Sequence, residues 1–169
     1  LGVNPDQRSV IFVGRITRQK GLPYFLRAAS HLPADVQLVL CAGAPDTPEI
    51  KAEVEHLVSE LSKTRSGVIW IPEHLPQQKL AALLSSADAF VCPSIYEPLG
   101  IVNLEAMACG TPVVSTRCGG PEEFVLDGDT GLLTGTIWRP DLGSFSVAAE
   151  VQPGAQHVAA MRKRLQEVG

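Results

Sequence analysis

Six short apolar runs recur along the first 133 residues, and a helix-length stretch separates each from the next. The runs fall at residues 9–14, 36–42, 68–71, 89–92, 112–115 and 131–133. They are continuously apolar rather than alternating, which is how strands buried on both faces read. Between them, residues 21–32, 48–62, 76–86, 100–109 and 121–126 carry helical spacing. In 48–62, for example, Ile50, Val54, Leu57, Val58 and Leu61 share one side. Pro33, Pro72 and Gly110 supply stops. Short strands alternating with helices give βαβ units, right-handed crossovers and an α/β fold with a parallel sheet covered on both faces.

Composition limits what such a domain does. The chain has 169 residues, 45% hydrophobic and 19% charged, with a net charge of −4. This is an ordinary globular balance, large enough for one sizeable core. The acidic balance argues against a general nucleic-acid or membrane-surface binder. No apolar run is long enough to span a bilayer, and no signal-peptide pattern opens the chain. Leu1 in place of Met reads as a piece of a longer chain. Cys41, Cys92, Cys109 and Cys118 form no C-x-x-C pair and read as reduced core thiols of a cytoplasmic protein. The four histidines are scattered without zinc-ligand spacing.

Ligands of open parallel sheets bind beyond the carboxyl ends of the strands. The unusual polar clusters all follow strands. Gly14-Arg15-Ile16-Thr17-Arg18-Gln19-Lys20-Gly21 follows the first, Pro72-Glu73-His74-Leu75 the third, Pro93-Ser94-Ile95-Tyr96-Glu97 the fourth, and Thr116-Arg117-Cys118-Gly119-Gly120 the fifth. Arg15, Arg18 and Lys20 concentrate positive charge where a helix begins, an unfavourable place unless an anion binds there. Arg15 can grip two phosphate oxygens, and Lys20 offers a compact charge. Each such bond is worth roughly 1.5–3 kcal/mol.

Glu97 and Glu105 frame Pro98-Leu99-Gly100-Ile101-Val102-Asn103-Leu104. The free N–H groups at Gly100, Ile101 and Val102 open a helix and suit a phosphate. The Glu105 side chain leans toward that helix start and suits ribose hydroxyls. Glu97 either closes a Ser94-x-x-Glu97 capping box or stands as a loop carboxylate for sugar hydroxyls. Gly119-Gly120-Pro121 is either a plain turn or a ligand-touching loop, and His74 reads as an exposed loop residue. No Walker A loop, G-x-G-x-x-G or Ser-His-Asp set is present.

Val13-Gly14-Arg15, Gln19-Lys20-Gly21 and Glu97-x7-Glu105 with its flanking Ala106-Met107-Ala108-Cys109-Gly110-Thr111-Pro112-Val113-Val114 resemble the retaining glycosyltransferases of family four. The stretch 39–49 is most similar to a bacterial glycogen synthase branch. The resemblance implies a Rossmann-like, nucleotide-sugar-binding domain over residues 1–133, one half of a GT-B fold. It implies an acceptor-binding N-terminal domain missing from this chain. Residues 134–169 depart from the family ending and read as an atypical tail with a helix over 156–168. By resemblance, Gly14, Arg15 and Lys20 border the donor diphosphate, with Arg15 and Lys20 stabilising it as it leaves. Glu97 holds the glucose hydroxyls, and Glu105 the ribose. Leu99, Gly100, Ile101 and Val102 surround the distal phosphate. Ile71, Glu73 and Leu75 border the base.

The implied activity is glucosyl transfer from ADP-glucose or UDP-glucose to an α-glucan or small sugar acceptor. No catalytic metal and no cofactor are implied, the nucleotide sugar being a substrate. The expectation for the isolated chain is nucleotide binding without turnover. Two other readings stay open: a nucleotide-sugar-binding or regulatory module, and an epimerase-like domain, for which no acid/base residues are found.

Overall fold

A computed structural model describes residues 1–134. The expected tail over 134–169, with its helix, otherwise lies outside the described residues. The chain runs β1 (Ser9–Arg15), α1 (Leu22–Ala28), a short 3-10 turn (Ala29–His31), β2 (Gln37–Gly43), α2 (Pro48–Thr64) and β3 (Val68–Ile71). It continues with α3 (Gln77–Ser86), β4 (Ala89–Cys92), α4 (Ile101–Ala108), β5 (Val113–Thr116), α5 (Pro121–Phe124) and β6 (Gly131–Thr134). Each element expected within residues 1–134 is present, shifted by a residue or two at its ends. The largest change is in the first helix, which tightens into the 3-10 turn before Pro33.

All strand pairs are parallel, in the order β3-β2-β1-β4-β5-β6. The chain builds outward from β1 through β2 to β3, then returns to place β4 against the other side of β1. That return forces the first two helices and the later ones onto opposite faces. Phe12, Leu38, Leu40 and Ala42 meet Leu22, Phe25, Leu26, Ile50, Val54 and Leu61 of α1 and α2. Ile11, Val39, Ile71, Phe90 and Val113 meet Leu83, Leu84 and Ala106 of α3 and α4 on the other face. The alternation along β1, Ile11 to one side and Phe12 to the other, is the strand period applied to a sheet with two apolar faces.

Between β1 and β4 the loops that leave the sheet diverge, and a crevice opens at their carboxyl ends. The four cysteines are free thiols, with Cys41, Cys92 and Cys118 buried. Burial pushes the Cys41 thiol up to about 11. Among the described residues no helix is long and apolar enough to cross a membrane.

Candidate functional site

A cavity of about 320 Å³ occupies the crevice between β1 and β4. Its floor includes Phe12 and Phe90, and its polar wall holds Lys20, Ser94, Glu97 and Asn103, with Leu99, Gly100, Ile101 and Val102 around the rim. Lys20 arrives from the β1–α1 loop, where Thr17 Oγ1 accepts from its backbone N–H at 3.1 Å. Glu97 arrives from the β4–α4 loop, 77 residues later. Lys20 Nζ donates to Glu97 Oε2 at 2.5 Å, and Glu97 is only 7% exposed. Lys20 is about 29% exposed at its side chain, so the pair sits between the surface and buried limits. Removing one partner alone would cost about 2 kcal/mol, between those limits. The ammonium carries three donors, and Glu97 uses one.

The Glu97 loop is held by backbone on both sides. Glu97 N donates to Cys118 O at 2.8 Å and Gly120 N donates to Glu97 O at 2.8 Å, a short parallel bridge with Gly119. A side chain at Gly120 would begin 2.6 Å from Leu99 O. Gly119-Gly120 is therefore a close-approach seam that positions Glu97. On the other side, Ile95 N donates to Gln19 O and Gln19 Nε2 to Tyr96 O, each at 2.8 Å. Gly21 completes that seam. Its φ is +68°, and a Cβ there would lie 1.9 Å from Pro93 O. Gly21→Ala is expected to cost about 3 kcal/mol, from left-handed backbone strain plus overpacking. Urea denaturation reads it as a lowered midpoint with unchanged slope.

No helix starts at Ser94, so no capping box forms. Ser94 Oγ instead donates to the Glu97 carboxylate at 3.3 Å. Helix α4 starts at the cavity, after Gly100 in a left-handed conformation (φ +79°) and with no side-chain cap. Asn103 N is the first to find an acceptor there, Gly100 O at 2.9 Å. The N–H groups of Ile101 and Val102 before it have no intrahelical acceptor, an arrangement that suits an anion.

The other expected site residues stand apart. Arg15 closes β1 and is exposed in an ion pair with Asp46. Arg18 is drawn to α2 by Glu53, at 2.5 Å. Gly14 lies in β1, where a Cβ would approach within 3.8 Å of Lys20 Cδ. Glu105 is half-buried on α4 and does not line the cavity. Ile71 and Leu75 are buried in the face that α4 also packs against, while Glu73 and His74 are exposed. β3 lies two strands from β1, so Ile71, Glu73 and Leu75 are outside the cavity. A second cavity, about 450 Å³, lies at the ends of β2 and β3 between Ile16, Ala42, Trp70 and Pro72. Sequence reasoning gave Asn103 no role of its own and gave Ser94 none beyond a helix cap and a place in the polar cluster after β4.

Over residues 1–137 the chain matches the family described as Glycosyl transferases group 1. The chain belongs to this family. Among curated relatives of this group 1 chain is an alpha-maltose-1-phosphate synthase of Mycolicibacterium smegmatis, 59% identical over 133 residues, covering 79% of this chain and 34% of the relative. A D-inositol 3-phosphate glycosyltransferase of Xylanimonas cellulosilytica is 37% identical over 149 residues, 86% of this chain and 35% of the relative. The chain thus spans about a third of the length of the curated relatives it matches. Among solved structures, the sucrose-phosphate synthase of Thermosynechococcus elongatus superposes with a TM-score of 0.69 at 30% identity, covering 98% of this chain and 37% of that one. The fold of this glycosyl transferase group 1 chain is the Rossmann-like half of GT-B enzymes. The two curated relatives are named for a maltose phosphate and an inositol phosphate, and neither bears specifically on the expected glycogen synthase branch.

Proposed function

We propose that this chain is the donor-binding half of a retaining glucosyltransferase that takes ADP-glucose or UDP-glucose. The observation that carries this reading is the cavity at the β1–β4 crevice, where Lys20, Glu97 and an uncapped helix start meet in a chain of this family. The diphosphate takes the free donors of Lys20 and the N–H groups at Gly100, Ile101 and Val102. Arg15 joins by leaving Asp46. That exchange is favourable, since an exposed pair is worth at most about 1 kcal/mol and a charge-assisted phosphate contact roughly 1.5–3.

Glu97 takes the glucose hydroxyls. Glu105, one turn into α4, takes the ribose. The base lies against Ile71, Glu73 and Leu75, two strand spacings from β1 or about 10 Å along the sheet edge. Preorganised cations and the α4 start lower the barrier by stabilising charge on the departing diphosphate. Glu97 and Glu105 are a donor grip rather than a hydrolytic acid/base pair. No metal or cofactor is part of this reading.

The name of one relative supports an acceptor class. A maltose phosphate made by moving one glucose requires a glucose 1-phosphate acceptor, so a small phosphorylated sugar is favoured over a glucan. The acceptor side belongs to the part of the relatives that this chain does not cover. A cytoplasmic setting, supported by the free thiols of Cys41, Cys92, Cys109 and Cys118, completes the reading.

Calorimetry with ADP, UDP and GDP tests it. One of them should bind, and Arg15→Ala should weaken that ligand more than tenfold. Binding of none removes the proposal. The isolated chain should bind without transferring glucose, because water exclusion and acceptor placement need both halves of a cleft.

A further inference from the structure

A line of buried polar side chains in the cavity wall ends on Glu97. Asn103 Nδ2 donates to Cys92 Sγ at 3.6 Å, Cys92 Sγ donates to Ser94 Oγ at 3.5 Å, and Ser94 Oγ donates to Glu97 Oε2 at 3.3 Å. Asn103 and Ser94 are each 1% exposed. Groups so deeply buried cost stability unless they are hydrogen-bonded, and packing alone would favour apolar residues here. Each link is long. All three donors nevertheless point the same way, toward the carboxylate, and donors in series polarise one another. Thr116 Oγ1 anchors the middle of the line by donating to Ser94 O.

The line makes the two oxygens of Glu97 unlike. Oε2 receives both Ser94 Oγ and Lys20 Nζ. Oε1 has no hydrogen bond among the described residues. Asn103 Oδ1, at the far end, also lacks a donor and is fully buried. Of the two, Oε1 is the acceptor open to the cavity, and it suits a ligand hydroxyl.

We propose that Ser94 is a positioning residue for sugar recognition. Its hydroxyl, held by Cys92 and Asn103, ties down Oε2 of Glu97 and so presents Oε1 to a hydroxyl of the bound sugar. The inference rests on the donor-binding reading above and deepens it. Ser94 touches no ligand itself. Its effect falls chiefly on the sugar end, because Ser94 bonds the Glu97 carboxylate directly and reaches Lys20 only through the oxygen they share.

The test is the ratio of two dissociation constants measured on the 169-residue chain. One is for the best-binding nucleoside diphosphate, the other for its glucose conjugate. Ser94→Ala should shift the ratio roughly five- to tenfold against the conjugate while the diphosphate stays within about twofold. Ser94→Thr, which keeps the hydroxyl, should restore the ratio. Equal weakening of both ligands by Ser94→Ala, as a purely structural role predicts, would overturn the proposal, and so would an unchanged ratio. Should Ser94→Ala not fold, Ser94→Cys, close in volume and a weaker donor, carries the same test with a shift of at least about twofold. If the unaltered chain binds neither ligand, the donor-binding reading falls and this inference with it. That outcome is distinct from a failed ratio.

Discussion

Lys20→Ala should weaken the nucleoside diphosphate by roughly 10- to 100-fold and also lower the stability of the unliganded chain. The two effects have different origins. Affinity falls because the ammonium supplies the central charge to the diphosphate, and a hydrogen bond to a charged group is worth roughly 1.5–3 kcal/mol. Stability falls because Glu97, 7% exposed, loses its cation and keeps only the long bond from Ser94. That loss is about 2 kcal/mol, short of the full cost of breaking a wholly buried pair. A second substitution separates them. Adding Glu97→Gln to Lys20→Ala removes the stranded charge, so the denaturation midpoint should recover while diphosphate binding does not. Parallel recovery of both would mean that Lys20 acts on the ligand only through the fold.

Arg65→Met should cost about 3–5 kcal/mol of stability, a fall in Tm of about 10 °C or more, with diphosphate affinity unchanged. Arg65 caps the carboxyl end of α2 and is almost wholly buried, with no acid in bonding distance. Its guanidinium instead gathers carbonyls from the segment leading into β2. It donates to Ala29 O at 2.6 Å, Pro33 O at 2.7 Å and Val36 O at 2.7 Å, with a longer bond to Leu32 O. Burial lowers its pKa, partly offset by the field of Asp35. Met fills much of the volume but leaves those carbonyls without donors in a place water hardly reaches. Arg65→Lys should recover only part of the loss, since one ammonium cannot span the same fork. Val36 immediately precedes β2, so the clamp works at the amino edge of the sheet, opposite the cavity. Thermal unfolding and calorimetry on one preparation check both halves. A drop in diphosphate affinity matching that of Lys20→Ala would show that the two edges are coupled.

The two residues contrast in how far local pattern reaches. Lys20 stands out in sequence, in a basic loop between a strand and a helix. Arg65, in Lys63-Thr64-Arg65-Ser66 at a helix end, looks like any solvated cation. Only the turn at 29–36 folding beneath α2 makes it a clamp. Gly21 and Gly120 likewise read as a helix start and a turn, while the structure uses both where one backbone passes another. Arg18 reads as a partner of Arg15 and Lys20, yet Glu53 on α2 takes it.

The sequence by itself determined the elements, their near-exact order of strand and helix, and the single edge on which the polar loops fall. These follow from apolar runs, helical spacing and Gly or Pro stops, all of which act within a few residues. It also determined that Glu97, Gly100 and Lys20 carry unusual chemistry for their positions. The tertiary structure decided which of those residues meet. Returning β4 to the side of β1, not to the edge beyond β3, joins Lys20 to Glu97 across 77 positions and leaves Ile71–Leu75 two strands away. Strand order depends on burying both faces of one sheet at once, a property of the whole chain, and no local window contains it.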